Sequence, residues 1–279
     1  MSTRRDFIKQ LGAVAGLGAV ASMGLGLNAQ QVRAALAASW YMLDENELQE
    51  RVFLAFAASS SIWADWAGAV NNTIALLAKT IAKYQPVTVL CRPAQLAQTR
   101  SKCGTRNIRF ISVALDDIWM RDYGGCFVVD DQGGRGLVDF NFNGWGNKQA
   151  YANDTLVADE LSYQTNATYI SSQLTGEGGG IEIDGFGTAI ITESCWVNSN
   201  RNPGWTRAQI EAELKANLGL RKIIWLPGIK GKDITDAHVD FYARFASKGV
   251  VIANLDNDPN SYDYAVTRKH LELLKAATD

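Results

Sequence analysis

The stretch CFVVDDQGGRGLVDFNF, residues 126–142, is apolar, then polar and glycine-rich, then apolar again. That is the plan of a β-hairpin, in which two strands are joined by a tight turn of residues that accept unusual backbone angles. The plan recurs. IEIDGFGTAIITES (181–194) turns through DGFG, and VDFYARFASKGVVIANL (239–255) turns through ASKG. A helix pattern follows each hairpin: NDTLVADELSYQ (153–164), NPGWTRAQIEAELKANLG (202–219) and DPNSYDYAVTRKHLELLKAATD (258–279). The second has Pro203 and Thr206 at its start and Gly219 at its stop. Short strands follow the first two helices, ATYISSQL (167–174) and RKIIWLP (221–227). The hairpins begin near Phe127, Ile181 and Val239, so they lie 54 and 58 residues apart. A steady period with a constant element order predicts an internal repeat of ββαβ modules.

Residues 51–115 follow the same grammar out of phase. RVFLAF reads as a strand, 64–84 as an amphipathic helix, PVTVLC as a strand, PAQLAQTRSKCG as a short helix and IRFISVAL as another strand. The expectation is one α/β domain of repeated modules, with strands inside and helices outside.

The bulk composition excludes several classes. A chain of 279 residues with 47% hydrophobic content can bury an ordinary core. A net charge of −2 with no long single-sign run gives no nucleic-acid footprint. Four cysteines (Cys91, Cys103, Cys126, Cys195) without a CxxC pair, and only two histidines, make a weak case for zinc. At the N-terminus, TRRDFIK (3–9) sets two arginines before the apolar, Gly/Ala-rich stretch 11–27, and ALA (35–37) offers small residues for cleavage. This is the pattern of a twin-arginine export signal over residues 1–37, which implies a periplasmic or extracellular protein. The apolar stretch is 17 residues, at the short limit for a membrane span. No stable membrane insertion is expected once the signal is cleaved.

The unusual polar residues gather just before, or at the start of, each hairpin. DDIWMRDYGG brings Asp117, Trp119, Arg121 and Asp122; GEGGGIEIDG brings Glu177; DAHVDF brings His238 and Asp240. In an extended strand, His238 and Asp240 would share one face. If the modules surround an axis, these ends converge into a pocket suited to a planar cation. Carboxylates grip a guanidinium through paired hydrogen bonds, and tryptophan stacks on it. Taken singly, each residue has a plainer reading. His238 is as readily a hydrogen-bonded strand residue, Asp122 a partner of Arg121 or a turn cap, and Glu177 a turn residue. Glycines 178–180 make a weak phosphate loop, since no helix start and no Gly-Lys-Ser/Thr follow.

DIWMRDYGG (117–125), NFNGWGNK (141–148), EGGGIEIDGFGTAIITESCWVNSNRNP (177–203) and TDAHVDFYARF (235–245) stand in an order and spacing that resemble the agmatine deiminase and bacterial-type peptidylarginine deiminase family over about residues 40–279. EGGGIEIDG and NRNP draw the likeness toward agmatine deiminase. The resemblance implies the pentein-type, pseudo-symmetric α/β propeller of ββαβ modules, and no cofactor. It implies that a cysteine thiolate attacks the guanidinium carbon, ammonia leaves, and water hydrolyses the thiouronium intermediate. Asp122 and Asp240 match the carboxylates that grip the guanidinium, and His238 the general acid and base. Trp119 matches an aromatic lining the pocket, and Glu177 a pocket support. The implied partner is a small guanidine, agmatine, converted to N-carbamoylputrescine on the route to putrescine; peptidylarginine and free arginine are the alternatives. A homo-oligomer is compatible with the family.

Three departures stand out. Ala237 occupies a position where the family usually has glycine, and GGC (124–126) stands where GPT is common. The family nucleophile belongs to a Gly-Gly-Gly-x-x-His-Cys motif that this sequence lacks, and the sequence ends at LELLKAATD, inside the third helix. The expectation is an incomplete propeller without its final module, with the nucleophile beyond Asp279. Cys126, four residues after Asp122, is a poor substitute, and Cys195 reads as a structural residue in the second strand of its hairpin. The competing reading from another class is an inactive guanidine binder.

Overall fold

A computed structural model describes residues 40–278, so the export-signal reading of residues 1–37 falls outside the described residues. The chain opens with a parallel sheet. β1 (Val52–Phe56), β2 (Val87–Cys91) and β3 (Ile108–Ser112) pair in that order, with Val52 facing Val87 and Val87 facing Ile108. Parallel neighbours need crossovers. These are α1 (Ala67–Ile81), which is preceded by two short turns, and α2 (Leu96–Cys103). VTVLC is apolar apart from Thr88 because β2 is central, and all its residues are buried.

Two ββαβ modules follow, as the repeat predicts. β4 (Cys126–Val129) and β5 (Arg135–Asp139) pair antiparallel, α3 (Val157–Thr165) crosses over, and β6 (Thr168–Ser171) returns parallel to β5. The first hairpin turn closes on Asp130, whose Oδ1 accepts from the backbone N–H of Gln132 at 2.9 Å and of Gly134 at 2.6 Å. β7 (Glu182–Ile183), β8 (Thr188–Thr192), α4 (Arg207–Leu218) and β9 (Lys222–Leu226) repeat the pattern. α4 starts with a capping box between Thr206 and Gln209, and Gly219 stops it at φ 66°. β10 (Ala243–Ser247) and β11 (Val250–Ala253) form the third hairpin, and α5 (Asp263–Ala276) follows.

That third hairpin corrects one expectation. It begins at Ala243, and Val239–Phe241 form a single 3-10 turn, so His238 and Asp240 do not share a strand face. The cause is local. The Asp233 carboxylate accepts from the backbone N–H of Thr235 at 2.6 Å and of Ala237 at 3.0 Å, and Asp236 and Ala237 take left-handed angles of φ 62° and 71°. A side chain that captures nearby backbone N–H groups competes with a strand for them.

The cores lock neighbouring modules together. One joins Cys126, Val128 and Phe140 to Ile191, Trp196, Ile210 and Leu214, and so spans both ββαβ modules. Another joins Ala55, Leu90 and Ile111 of the parallel sheet to Leu137, Val157 and Leu161. Ile210, Leu214 and Leu218 on α4 are essentially fully buried, each contributing roughly 1.5–3 kcal/mol. Among the described residues, no helix is long and apolar enough to cross a membrane.

Candidate functional site

Asp122, Glu177 and His238 each lie a few residues ahead of a different hairpin, and the fold brings them together. His238 Nε2 is 3.3 Å from Glu177 Oε2, and His238 Nδ1 is 3.7 Å from Asp122 Oδ1. Gly179 shows how close the packing is. A Cβ there would sit 2.5 Å from His238 Nδ1, 2.8 Å from Asp122 Oδ1 and 3.0 Å from Asp240 Oδ2. Only a residue without a side chain fits among the imidazole and the two carboxylates. The glycines 178–180 are therefore the floor of the cluster, as a 3-10 turn in which Gly179 N–H donates to Asp122 Oδ1 at 3.2 Å.

Each group is held from outside. Asp122 sits on the short helical turn Met120–Tyr123, and its Oδ2 accepts from the Trp145 indole at 3.0 Å. Trp145 is held at φ 56°, ψ 43°, a left-handed conformation that a bulky side chain rarely adopts. Such strain persists only where the surroundings fix it. Here buried packing against Phe142 and the bond to Asp122 do so. Glu177 is fully buried; its Oε1 accepts from Arg201 Nε at 3.0 Å. Arg201 in turn donates to Asp236 at 2.6 Å and to the carbonyl of Thr235 at 3.0 Å, and Lys148 reaches the same Asp236 carboxylate at 2.8 Å. Trp119 is 42% exposed, the one open aromatic face at the cluster's edge that the sequence singled out. Its indole donates to Asp117 at 3.0 Å, and its ring stacks on Trp63 at 6.1 Å.

The charges follow from this packing. For His238, burial pulls the pKa down, but Cys195, Glu177 and Asp122 outweigh it and hold the imidazole well above its usual value. For Glu177, burial pushes up, yet His238 and Arg201 hold the carboxyl below the ordinary range. Burial raises both Asp122 and Asp240, with His238 opposing in each case. The result is an imidazole held toward its protonated form among three carboxyl groups, with Asp122 and Asp240 on the side of Gly179.

Cys195 corrects the sequence reading. It lies beyond β8, on the short turn Glu193–Trp196, and its Sγ donates to Glu177 Oε2 at 3.6 Å, inside the cluster. Cys126 is buried in β4, where burial raises its thiol to about 11. The thiols of Cys91, Cys103 and Cys195 are also raised, with burial the largest cause in each. Sequence reasoning missed Trp145, Gly179 and the part played by Arg201. All three lie in quoted motifs, but nothing in a motif says which atoms it aims at. Two surface recesses, one of about 110 Å³ beside Glu45 and Arg244 and one of about 790 Å³ beside Arg92 and Asn153, are lined by none of Asp122, His238 or Asp240.

Comparison with known proteins places the chain in a family. Residues 41–279 match the family described as Porphyromonas-type peptidyl-arginine deiminase. The agmatine deiminase of Stutzerimonas stutzeri is 36% identical over 246 residues, covering 86% of this chain and 67% of the relative. A Streptomyces avermitilis protein provisionally named agmatine deiminase is 41% identical over 232 residues, covering 80% of this chain but 63% of the relative. Thus the chain spans about two thirds of the length of these relatives. The solved agmatine deiminase of Enterococcus faecalis superposes with a TM-score of 0.82 at 29% identity, covering 86% of this chain and 67% of that one. The likeness shows a pentein-type α/β fold. With four motifs, the fold and the relatives in accord, the chain belongs to the Porphyromonas-type peptidyl-arginine deiminase family.

Proposed function

We propose that this chain holds the guanidinium end of a substrate for hydrolytic deimination, most specifically agmatine, which would yield N-carbamoylputrescine and ammonia. The observation that carries the reading is the meeting of Asp122, Asp240 and His238 around Gly179. In this reading Asp122 and Asp240 grip the planar cation from two sides. His238 passes its proton to the departing ammonia and then takes one from water. Glu177, fixed by Arg201, orients the imidazole, and Trp119 lines the approach. In this reading the nucleophile is a thiolate from outside the described residues, as the family's motif implies, and the four thiols within them are buried.

Agmatine is favoured over arginine by the state of the nearby cations. Arg201 pairs with Glu177 and Asp236, Arg121 with Glu45, and Arg244 with Glu182 and Glu45. Each is already neutralised, whereas a free or peptidyl arginine carries a carboxylate or carbonyl that wants a donor. The raised thiols equally favour a second reading, in which the chain as given binds guanidines without turnover. The test is a melting-temperature series with agmatine, arginine and putrescine, paired with an ammonia assay. Agmatine should raise the melting temperature well above the other two. Equal protection by putrescine, which has no guanidinium, would sink the proposal. Ammonia release would place the nucleophile among this chain's own thiols, against both readings as stated.

A further inference from the structure

Glu177, Cys195 and His238 come from three separate segments, and their ligand-capable atoms lie within 4.8 Å of one another. Glu177 Oε2 is the hub, 3.6 Å from Cys195 Sγ and 3.3 Å from His238 Nε2. A tetrahedral zinc ion, with bonds of about 2.3 Å to sulfur and about 2.0–2.1 Å to nitrogen or oxygen, has ligand–ligand edges of roughly 3.3–3.6 Å. Both edges at the hub already have that size. One sulfur, one nitrogen and one oxygen is also the donor mix of a borderline-soft ion, unlike the all-oxygen shells of magnesium or calcium.

The outer contacts are those of a built site. A metal-bound histidine ordinarily presents its other ring nitrogen to a carboxylate, and a ligating carboxylate is itself hydrogen-bonded. His238 Nδ1 faces Asp122 Oδ1 at 3.7 Å, and Arg201 holds the far oxygen of Glu177 at 3.0 Å. The charge of Arg201, which would repel an ion, is countered by Asp236 at 2.6 Å.

We propose that Glu177, Cys195 and His238 form a binding site for a thiophilic divalent cation of the zinc class, and that such an ion and a guanidine exclude each other. On binding, the Cys195 thiol and the protonated His238 imidazole each give up one proton to solvent, and the sulfur and Nε2 become ligands. The ion occupies the imidazole nitrogen now turned to Glu177 and adds positive charge beside Asp122, where the guanidinium would lie. The binding half stands by itself; the exclusion half rests on the function proposed above.

The test starts from purified chain stripped with a chelator and titrated with zinc chloride, then with cobalt chloride. The expected result is one zinc per chain and a thiolate-to-cobalt charge-transfer band. Cys195→Ser and His238→Ala should each weaken zinc binding at least tenfold, while Cys126→Ala leaves it unchanged. A wild-type cobalt complex without a thiolate band, or Cys195→Ser binding as tightly as wild type, overturns the site. The wild-type spectrum decides even where a variant fails to fold. For the exclusion half, one equivalent of zinc should abolish the agmatine-induced rise in melting temperature. A rise that survives saturating zinc overturns that half. Agmatine that fails to protect even metal-free chain counts against the guanidine reading instead, and the cobalt spectrum still judges the metal site.

Discussion

Two residues carry opposite backbone lessons. Gly179 has no room for a methyl group among His238, Asp122 and Asp240. Gly179→Ala must push at least two of them apart, so agmatine protection should fall by tenfold or more in affinity while the distant core keeps the chain folded. Retained protection in a thermal-shift titration would show that the three groups do not act together. Ala237 is the reverse case. It sits at φ 71°, with its Cβ 3.2 Å from the place a Cβ on Gly228 would take. A left-handed L-residue costs roughly 1–2 kcal/mol, which glycine escapes at some cost in unfolded-chain entropy. Ala237→Gly should therefore stabilise the chain by up to about 1 kcal/mol in denaturant unfolding. A loss of stability would mean that the methyl group is better packed than its backbone suggests. The departure from glycine was visible in the sequence; the positive φ that gives it meaning was not.

At the scale of elements, the repeat was legible because hairpin turns and helix caps are local chemistry. CFVVDDQGGRGLVDFNF and NPGWTRAQIEAELKANLG contain the groups that close their own turn and cap. The third hairpin was misplaced because Asp233, outside the pattern, captures the backbone N–H groups of Thr235 and Ala237 just ahead of it. Cys195 was misread for a similar reason, since its meaning depends on Glu177, 18 residues away. Helix α5 adds a feature that no motif announced. His270 is buried, its Nε2 accepts from Gly228 N–H at 3.1 Å, and burial lowers its pKa to about 4. A histidine depressed from about 6.5 in the unfolded chain contributes stability that is whole above pH 6.5 and is lost as pH falls toward 4. The loss amounts to roughly 3 kcal/mol by that linkage. Asp154, raised to about 7 by burial, works the opposite way in the same range, because protonating it favours the folded state. The readout is thus the difference between wild type and His270→Gln in urea at pH 7 and pH 4.5. Wild type should lose more stability than the variant on acidification. Parallel losses would mean that His270 does not stay neutral in the folded chain.

At the scale of the whole molecule, sequence motifs gave the family and the fold, and packing gave the cluster its atoms. We propose that the N-terminal arginines direct export. We expect Arg4→Lys with Arg5→Lys to stop export by the twin-arginine route, read as loss of the protein from the periplasmic or secreted fraction, with a cytoplasmic precursor in its place. Unchanged export would remove that reading and leave the site untouched. The central claim is that Asp122 and Asp240 together receive a guanidinium. It is tested most directly by isothermal titration of agmatine into wild type, Asp122→Asn and Asp240→Asn, each with its fold verified by circular dichroism. A hydrogen bond to a charged group is worth about 1.5–3 kcal/mol, so each variant should bind roughly tenfold to a hundredfold more weakly. If both variants bind agmatine as wild type does, the carboxylates are structural and the account of the site is wrong.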